Sequence, residues 1–137
     1  MGLFILFIVL FIVALIIALF GTAHLILYRI FENSADKTAT VQAVLTGTKI
    51  TDIYRGKKTY SPVFEYTVGS KKYRRTVVTF KGRIRKNSEA VYLKAFPRIA
   101  YIRCAGNDFK ENAAVCFLHA ALFLFVSLTT LFYDLYL

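Results

Sequence analysis

Residues 2–28 read GLFILFIVLFIVALIIALFGTAHLILY and contain no Asp, Glu, Lys or Arg. A helix rises 1.5 Å per residue, so about 20 apolar residues cross a hydrocarbon core of roughly 30 Å. Leu3 to Leu27 meets that length with tilt to spare. The rival reading is a cleaved signal peptide, which requires a basic start and an apolar stretch of about 7–15 residues. Gly21 and Ala23 would suit a cleavage site, but no Lys or Arg precedes the run, and it is far longer than that. The sequence therefore predicts an uncleaved transmembrane helix. Gly2 is not a myristoylation signal, because Leu6 stands where that motif needs Ser or Thr.

A second apolar run, Ala113 to Leu137, carries only His119 and Asp134 among acidic and basic residues. All 18 Lys and Arg lie between Arg29 and Lys110, together with six acids, so this middle segment carries about +12. The expected division is a transmembrane helix over 1–30, a basic β domain over 31–110 and a second transmembrane helix over 111–137. Positive charge flanking both spans on the same side places the β domain in the cytoplasm and both chain ends outside. Cys104 and Cys116 have no CxxC spacing, which excludes a disulfide framework and argues against a metal centre.

Between the apolar runs the pattern has a period of two. Phe31 to Lys37 (FENSADK) reads as a polar hinge, and Thr38 to Thr46 alternates with Ala39, Val41, Ala43 and Leu45 on one face. Gly47 marks a bulge, the strand continues to Tyr54, and Arg55 to Lys58 makes a turn. Tyr60 to Val68 and Lys71 to Phe80 are separated by Gly69-Ser70, the signature of a type II′ hairpin. That register sets Val68 opposite Lys71, Tyr66 opposite Tyr73, Glu65 opposite Arg74 and Phe64 opposite Arg75. Pro62 cannot donate to a ladder, so its strand is expected at an edge near its start. After a basic loop at 81–86, Ser88 to Ala95 and Ile99 to Arg103 read as two further strands. The fold class is α+β: two transmembrane helices flanking a small antiparallel β domain of about five strands, barrel-like or sandwich-like.

Catalysis finds no support in this chain. The two histidines, His24 and His119, lie in the apolar runs, where a neutral imidazole bonded to backbone is the simpler reading. No nucleotide-binding, nucleophile–base or metal-ligand spacing occurs, so no enzyme activity and no cofactor are expected. The basic clusters are the remaining candidates: Lys71, Lys72, Arg74 and Arg75, then Lys81, Arg83, Arg85 and Lys86. Alternation puts Lys72 and Arg74 on one face of the sheet and Arg75 on the other. Near an anionic leaflet each Lys or Arg contributes about 1 kcal/mol. These eight residues are therefore the expected contacts for anionic headgroups or a protein partner, against the plainer reading of a solvated face that enforces topology. Nucleic acid is disfavoured, since it needs a continuous aromatic platform.

The pattern resembles the bacterial membrane-protein family termed domain of unknown function 3592. The resemblance rests on Ala39, Val41, Ala43 and Val44, on Tyr60-x-Pro62-Val63-x-x-Tyr66-Thr67, on Gly69 and Tyr73, and on Val91-Tyr92 running into Pro97. The chain departs from the family where Lys86-Asn87-Ser88 precedes the late strand and Phe96 precedes Pro97. The likeness covers residues 38–103 and implies a small β module on helices in a bacterial inner membrane, with no catalytic residues to carry over. The reading is a non-enzymatic membrane protein whose β module binds a partner or the leaflet, with oligomerisation through the helices as a further route to partners. The alternatives are an immunity protein against a membrane- or surface-acting toxin, and a nucleic-acid or nucleotide sensor.

Overall fold

The structure, a computed structural model, describes residues 2–78 and 83–136, without the side chains of residues 51, 52 and 54. Its elements are α1 (Gly2–Asn33), β1 (Thr38–Tyr54), β2 (Lys57–Val68), β3 (Lys71–Thr76), β4 (Asn87–Leu93), β5 (Ala100–Ile102) and α2 (Phe109–Tyr136), with a 3-10 turn at Ala35–Lys37. The chain divides into two compact units: Tyr28–Asp108, and the helical residues before and after it.

In the helical unit, apart from Phe109 at the start of α2, the buried residues are small and recur every seven positions. Ala14 and Gly21 are buried in α1, and Ala113, Ala120 and Ser127 in α2. A seven-residue period keeps one seam of a helix facing its neighbour, and small side chains let the backbones approach. A Cβ added to Gly21 would lie 3.1 Å from the Cys116 Cβ and 3.2 Å from the Phe117 ring. Seven residues before Ala14, the Phe7 carbonyl accepts from the Ser127 hydroxyl at 3.1 Å. Around this seam the apolar surface stays uncovered: only 6 % of the most apolar window of either helix is buried. Both helices are long and apolar enough to cross a membrane.

The second unit is a five-stranded antiparallel sheet in the order β3-β2-β1-β4-β5, open rather than closed into a barrel, and among the described residues there is no second sheet to make a sandwich. β1 is the long central strand. Its first half pairs with β4, from Thr38↔Leu93 to Val44↔Asn87, and its second half with β2, from Ala43↔Tyr66 to Tyr54↔Lys57. Only Ala43 and Val44 are flanked on both sides, so the sheet is staggered about that point. Register shifts at Leu45/Gly47 and Ile50/Asp52 confirm the bulge read at Gly47 and add a second. Such bulges bend a strand and increase its twist.

One face of the sheet makes the core. Ala43, Phe64, Tyr66, Val77, Ala90, Ala100, Ile102 and Ala105 form a buried cluster, with Val41, Leu45, Tyr73, Ile84 and Tyr92 packed against it. The sheet curls over this cluster enough that the Tyr66 hydroxyl donates to the Pro97 carbonyl at 2.7 Å. Arg75, on edge strand β3, reaches Asp108 beyond β5 with two bonds of 2.9 and 3.1 Å. On the opposite face, Val91 and Leu93 are buried, and the Phe31 ring meets Tyr101 edge-on at 5.2 Å. α1 runs to Asn33, so the polar hinge begins three residues later than the sequence suggests.

The hairpin expectations hold in detail. β2 and β3 pair as Val68↔Lys71, Tyr66↔Tyr73, Glu65↔Arg74 and Phe64↔Arg75. Gly69 has φ +62°, the sign that a type II′ turn needs at its first position. The earlier turn tightens to Arg55-Gly56, both with positive φ, so β2 starts at Lys57 rather than Tyr60. β3 ends at Thr76, short of the expected Phe80. Next on β2 comes Pro62, which offers no N–H, and one last bond runs from Val77 N–H to the Pro62 carbonyl at 2.9 Å. Residues 79–82 of the expected strand and loop lie outside the described residues.

Candidate functional site

The basic clusters separate once the strands are laid side by side. Lys72 and Arg74 project from the outer face of β3 and flank Glu65, at 3.5 Å and 3.3 Å. Both cations are more than 70 % exposed, so solvent screens the pairs and each contributes at most about 1 kcal/mol. Their position on a sheet edge supplies a structural role, because charged side chains discourage edge-to-edge pairing with another chain. Lys71 is exposed at the turn. Arg75 faces the other way, as alternation requires, and is held in the half-buried pair with Asp108. That guanidinium belongs to the closure of the sheet.

Arg83, Arg85 and Lys86 lie on the segment entering β4, while Lys81 lies outside the described residues. Ile84 packs on the core cluster. In an extended segment its neighbours therefore turn outward. Arg83 and Arg85 project into a cleft of about 500 Å³ between this segment, the start of β4 and the end of β5, shared with Asn87, Ser88, Glu89, Arg103 and Cys104. The Lys86 carbonyl accepts from Leu45 N–H at 2.8 Å, which fixes the segment to β1. On the far wall Arg103 N–H donates to the Glu89 carbonyl, and the Arg103 guanidinium bonds the Glu89 carboxylate. Cys104 N–H donates to the Ser88 hydroxyl at 3.1 Å. Neither Arg103 nor Ser88 stands out in the sequence as a member: they enter through the β4–β5 pairing, which sets Ala90 opposite Ile102. A smaller recess of about 300 Å³ is lined by Lys72, Tyr73, Arg74 and Arg98.

Tyr66 and Tyr73 stack with centroids 5.6 Å apart, as their cross-strand pairing predicts. Burial pushes the Tyr66 phenol up to about 12, opposed by Arg75 and reinforced by Tyr73. A raised acid pKa means that the folded state holds the proton more tightly. The associated stability is complete below about pH 10 and is lost as pH rises towards 12. Tyr66→Phe should abolish this alkaline loss in a pH-dependent melt. At neutral pH it should cost about 1 kcal/mol, for the bond to Pro97. A wild-type and variant pair with the same alkaline slope would contradict the assignment.

Both histidines sit as expected of structural residues. His24 Nδ1 is 2.8 Å from the Phe20 carbonyl and His119 Nδ1 is 2.8 Å from the Val115 carbonyl, each four residues back along its helix. No group of three or more His, Cys, Asp or Glu able to hold a metal occurs among the described residues. The chain matches no protein-family model, no curated protein and no solved structure.

Proposed function

We propose that this chain is a non-enzymatic integral membrane protein whose basic β module acts as an interaction domain at an anionic membrane surface. One observation carries the reading: two helices with uncovered apolar surface share a chain with a β unit whose cations far outnumber its acids. A soluble protein buries its long apolar helices; here 6 % of each apolar window is buried. Among the described residues, Arg83 and Arg85 have no ion-pair partner. The residues that carry the family resemblance, Tyr60 to Thr67 and Gly69, occupy β2 and its turn, positions of sheet geometry rather than of chemistry.

Hydrogen exchange on the full chain in nanodiscs tests the interaction. Residues 71–74 and 83–86 should exchange more slowly in discs containing phosphatidylglycerol than in phosphatidylcholine discs, and added salt should remove the difference. Identical exchange in both lipids would refute the role. The same reading places the module in the cytoplasm of a bacterial inner membrane. Cys104 lies outside the helices and lines the open cleft, which makes it the topology probe. A membrane-impermeant maleimide should label it in opened cells and leave it unlabelled in intact ones; labelling in intact cells would reverse the orientation.

A further inference from the structure

The eight cations singled out in the sequence have unequal freedom, and the difference points to one place. Glu65 engages Lys72 and Arg74, and Asp108 engages Arg75. Arg83 and Arg85 instead line, without an ion-pair partner among the described residues, the cleft whose other side carries Arg103 and Glu89. We propose that this cleft is a binding site for a phosphate-bearing group, with Arg83 and Arg85 as its principal ligands. The proposal deepens the membrane-surface reading and rests on it only where the phosphate belongs to a lipid.

The donors, the charge and the size of the cleft all favour phosphate. Guanidinium is planar and presents paired N–H donors, a geometry that fits tetrahedral oxyanions and makes charge-assisted bonds. Three arginines and one glutamate line the cleft, so the net charge there is positive even with Glu89 ionised. The Ser88 hydroxyl accepts from Cys104 N–H, which leaves its own hydrogen available to an incoming oxyanion. Arg103 spends one edge of its guanidinium on Glu89 and keeps further N–H donors. The volume of about 500 Å³ exceeds what an inorganic ion fills and lies within the range of small-molecule sites. A phosphate ester or a phospholipid headgroup fits that size.

Glu89 is the feature that makes the site distinctive. Its carboxylate repels an anion and also holds Arg103 away from it. Neutralising Glu89 should therefore strengthen binding twice over, by removing the repulsion and by releasing the third guanidinium. A merely solvated loop has no reason to respond in this way.

Cys104 lies in the cleft and supplies the readout. The experiment uses the full chain carrying Cys116→Ser, in zwitterionic detergent, and follows the rate at which a neutral maleimide alkylates Cys104. Inorganic phosphate and glycerol phosphate are titrated against chloride at matched ionic strength; a parallel arm compares nanodiscs with and without phosphatidylglycerol. A several-fold slowing is expected in at least one arm. It should be lost in the Arg83→Ala/Arg85→Ala variant and enhanced in Glu89→Gln at the same ligand concentration. Slowing by the soluble compounds identifies a free phosphate ester as the source, and slowing only in phosphatidylglycerol discs identifies the headgroup. Arg83 and Arg85 are exposed and hold no ion pair among the described residues, so their loss should leave the circular dichroism of the sheet unchanged. No slowing in either arm, or slowing that survives the double substitution, overturns the proposal. The two readings can fail separately. Exchange at residues 71–74 that ignores lipid charge counts against the membrane-surface role, while the soluble arm still decides the cleft.

Discussion

Phe64→Ala is expected to destabilise the β module by about 3–5 kcal/mol, the range for truncating a fully buried aromatic. Phe64 has no exposed surface and sits beside the point where β1 is flanked by both β2 and β4. Leu45 and Arg75 stand opposite it on the flanking strands, and the alanines of the same buried cluster, Ala43 and Ala90, are too small to fill the space. The cavity would therefore persist, and the cost should fall in the upper part of the range. Chemical denaturation of the full chain in detergent, followed by the near-ultraviolet signal of the core tyrosines, measures it. Phe64→Leu, which keeps most of the volume, should cost less than half as much. Equal losses for Leu and Ala would mean that ring shape rather than volume decides, and no loss in either would remove Phe64 from the core.

The second large effect is expected at Arg75. Removing one member of a buried ion pair typically costs about 3–5 kcal/mol, because the partner keeps its charge without compensation. Arg75 retains 28 % side-chain exposure and Asp108 13 %, so water can reach the orphaned group in part. Arg75→Met should therefore cost on the order of 2–3 kcal/mol. Asp108→Asn should cost less, since an amide can still accept from the guanidinium. The pair with both changes should be closer to wild type than the sum of the two, because neither charge is then stranded. Additive effects would show that the two residues do not act together. By the same reasoning Lys72→Ala and Arg74→Ala should change stability by less than about 1 kcal/mol each, although they belong to the same sequence cluster.

These contrasts show where the sequence was legible. The β2–β3 hairpin could be read residue by residue, because a two-residue Gly69-Ser70 turn fixes the register of everything it joins. The strand set, its alternation and the Gly47 bulge follow from local pattern in the same way. The β1–β4 pairing did not: Ala43 and Ser88 lie 45 positions apart, with no short turn to align them. The open, curled form of the sheet depends on that pairing, as does the stagger about Ala43 and Val44. The candidate site was half legible. Arg83 and Arg85 stand out in any count of charge. Arg103, Ser88 and Glu89 join them only through the β4–β5 register, which a three-residue strand does not announce.

The seven-residue spacing of Ala14 and Gly21, and of Ala113, Ala120 and Ser127, was in the chain throughout. Within runs so uniformly apolar, however, small residues carry no contrast until the facing helix is known. The opening stretch settles its own structure for a related reason: 27 residues without a charge leave a helix few alternatives, since each backbone amide must be bonded internally in an apolar setting. Local physics thus decided helices, strands, turns and the totals of charge. Which cations are free and which are occupied was decided by tertiary structure, because an ion pair such as Arg75–Asp108 joins residues 33 positions apart that only the curl of the sheet brings together.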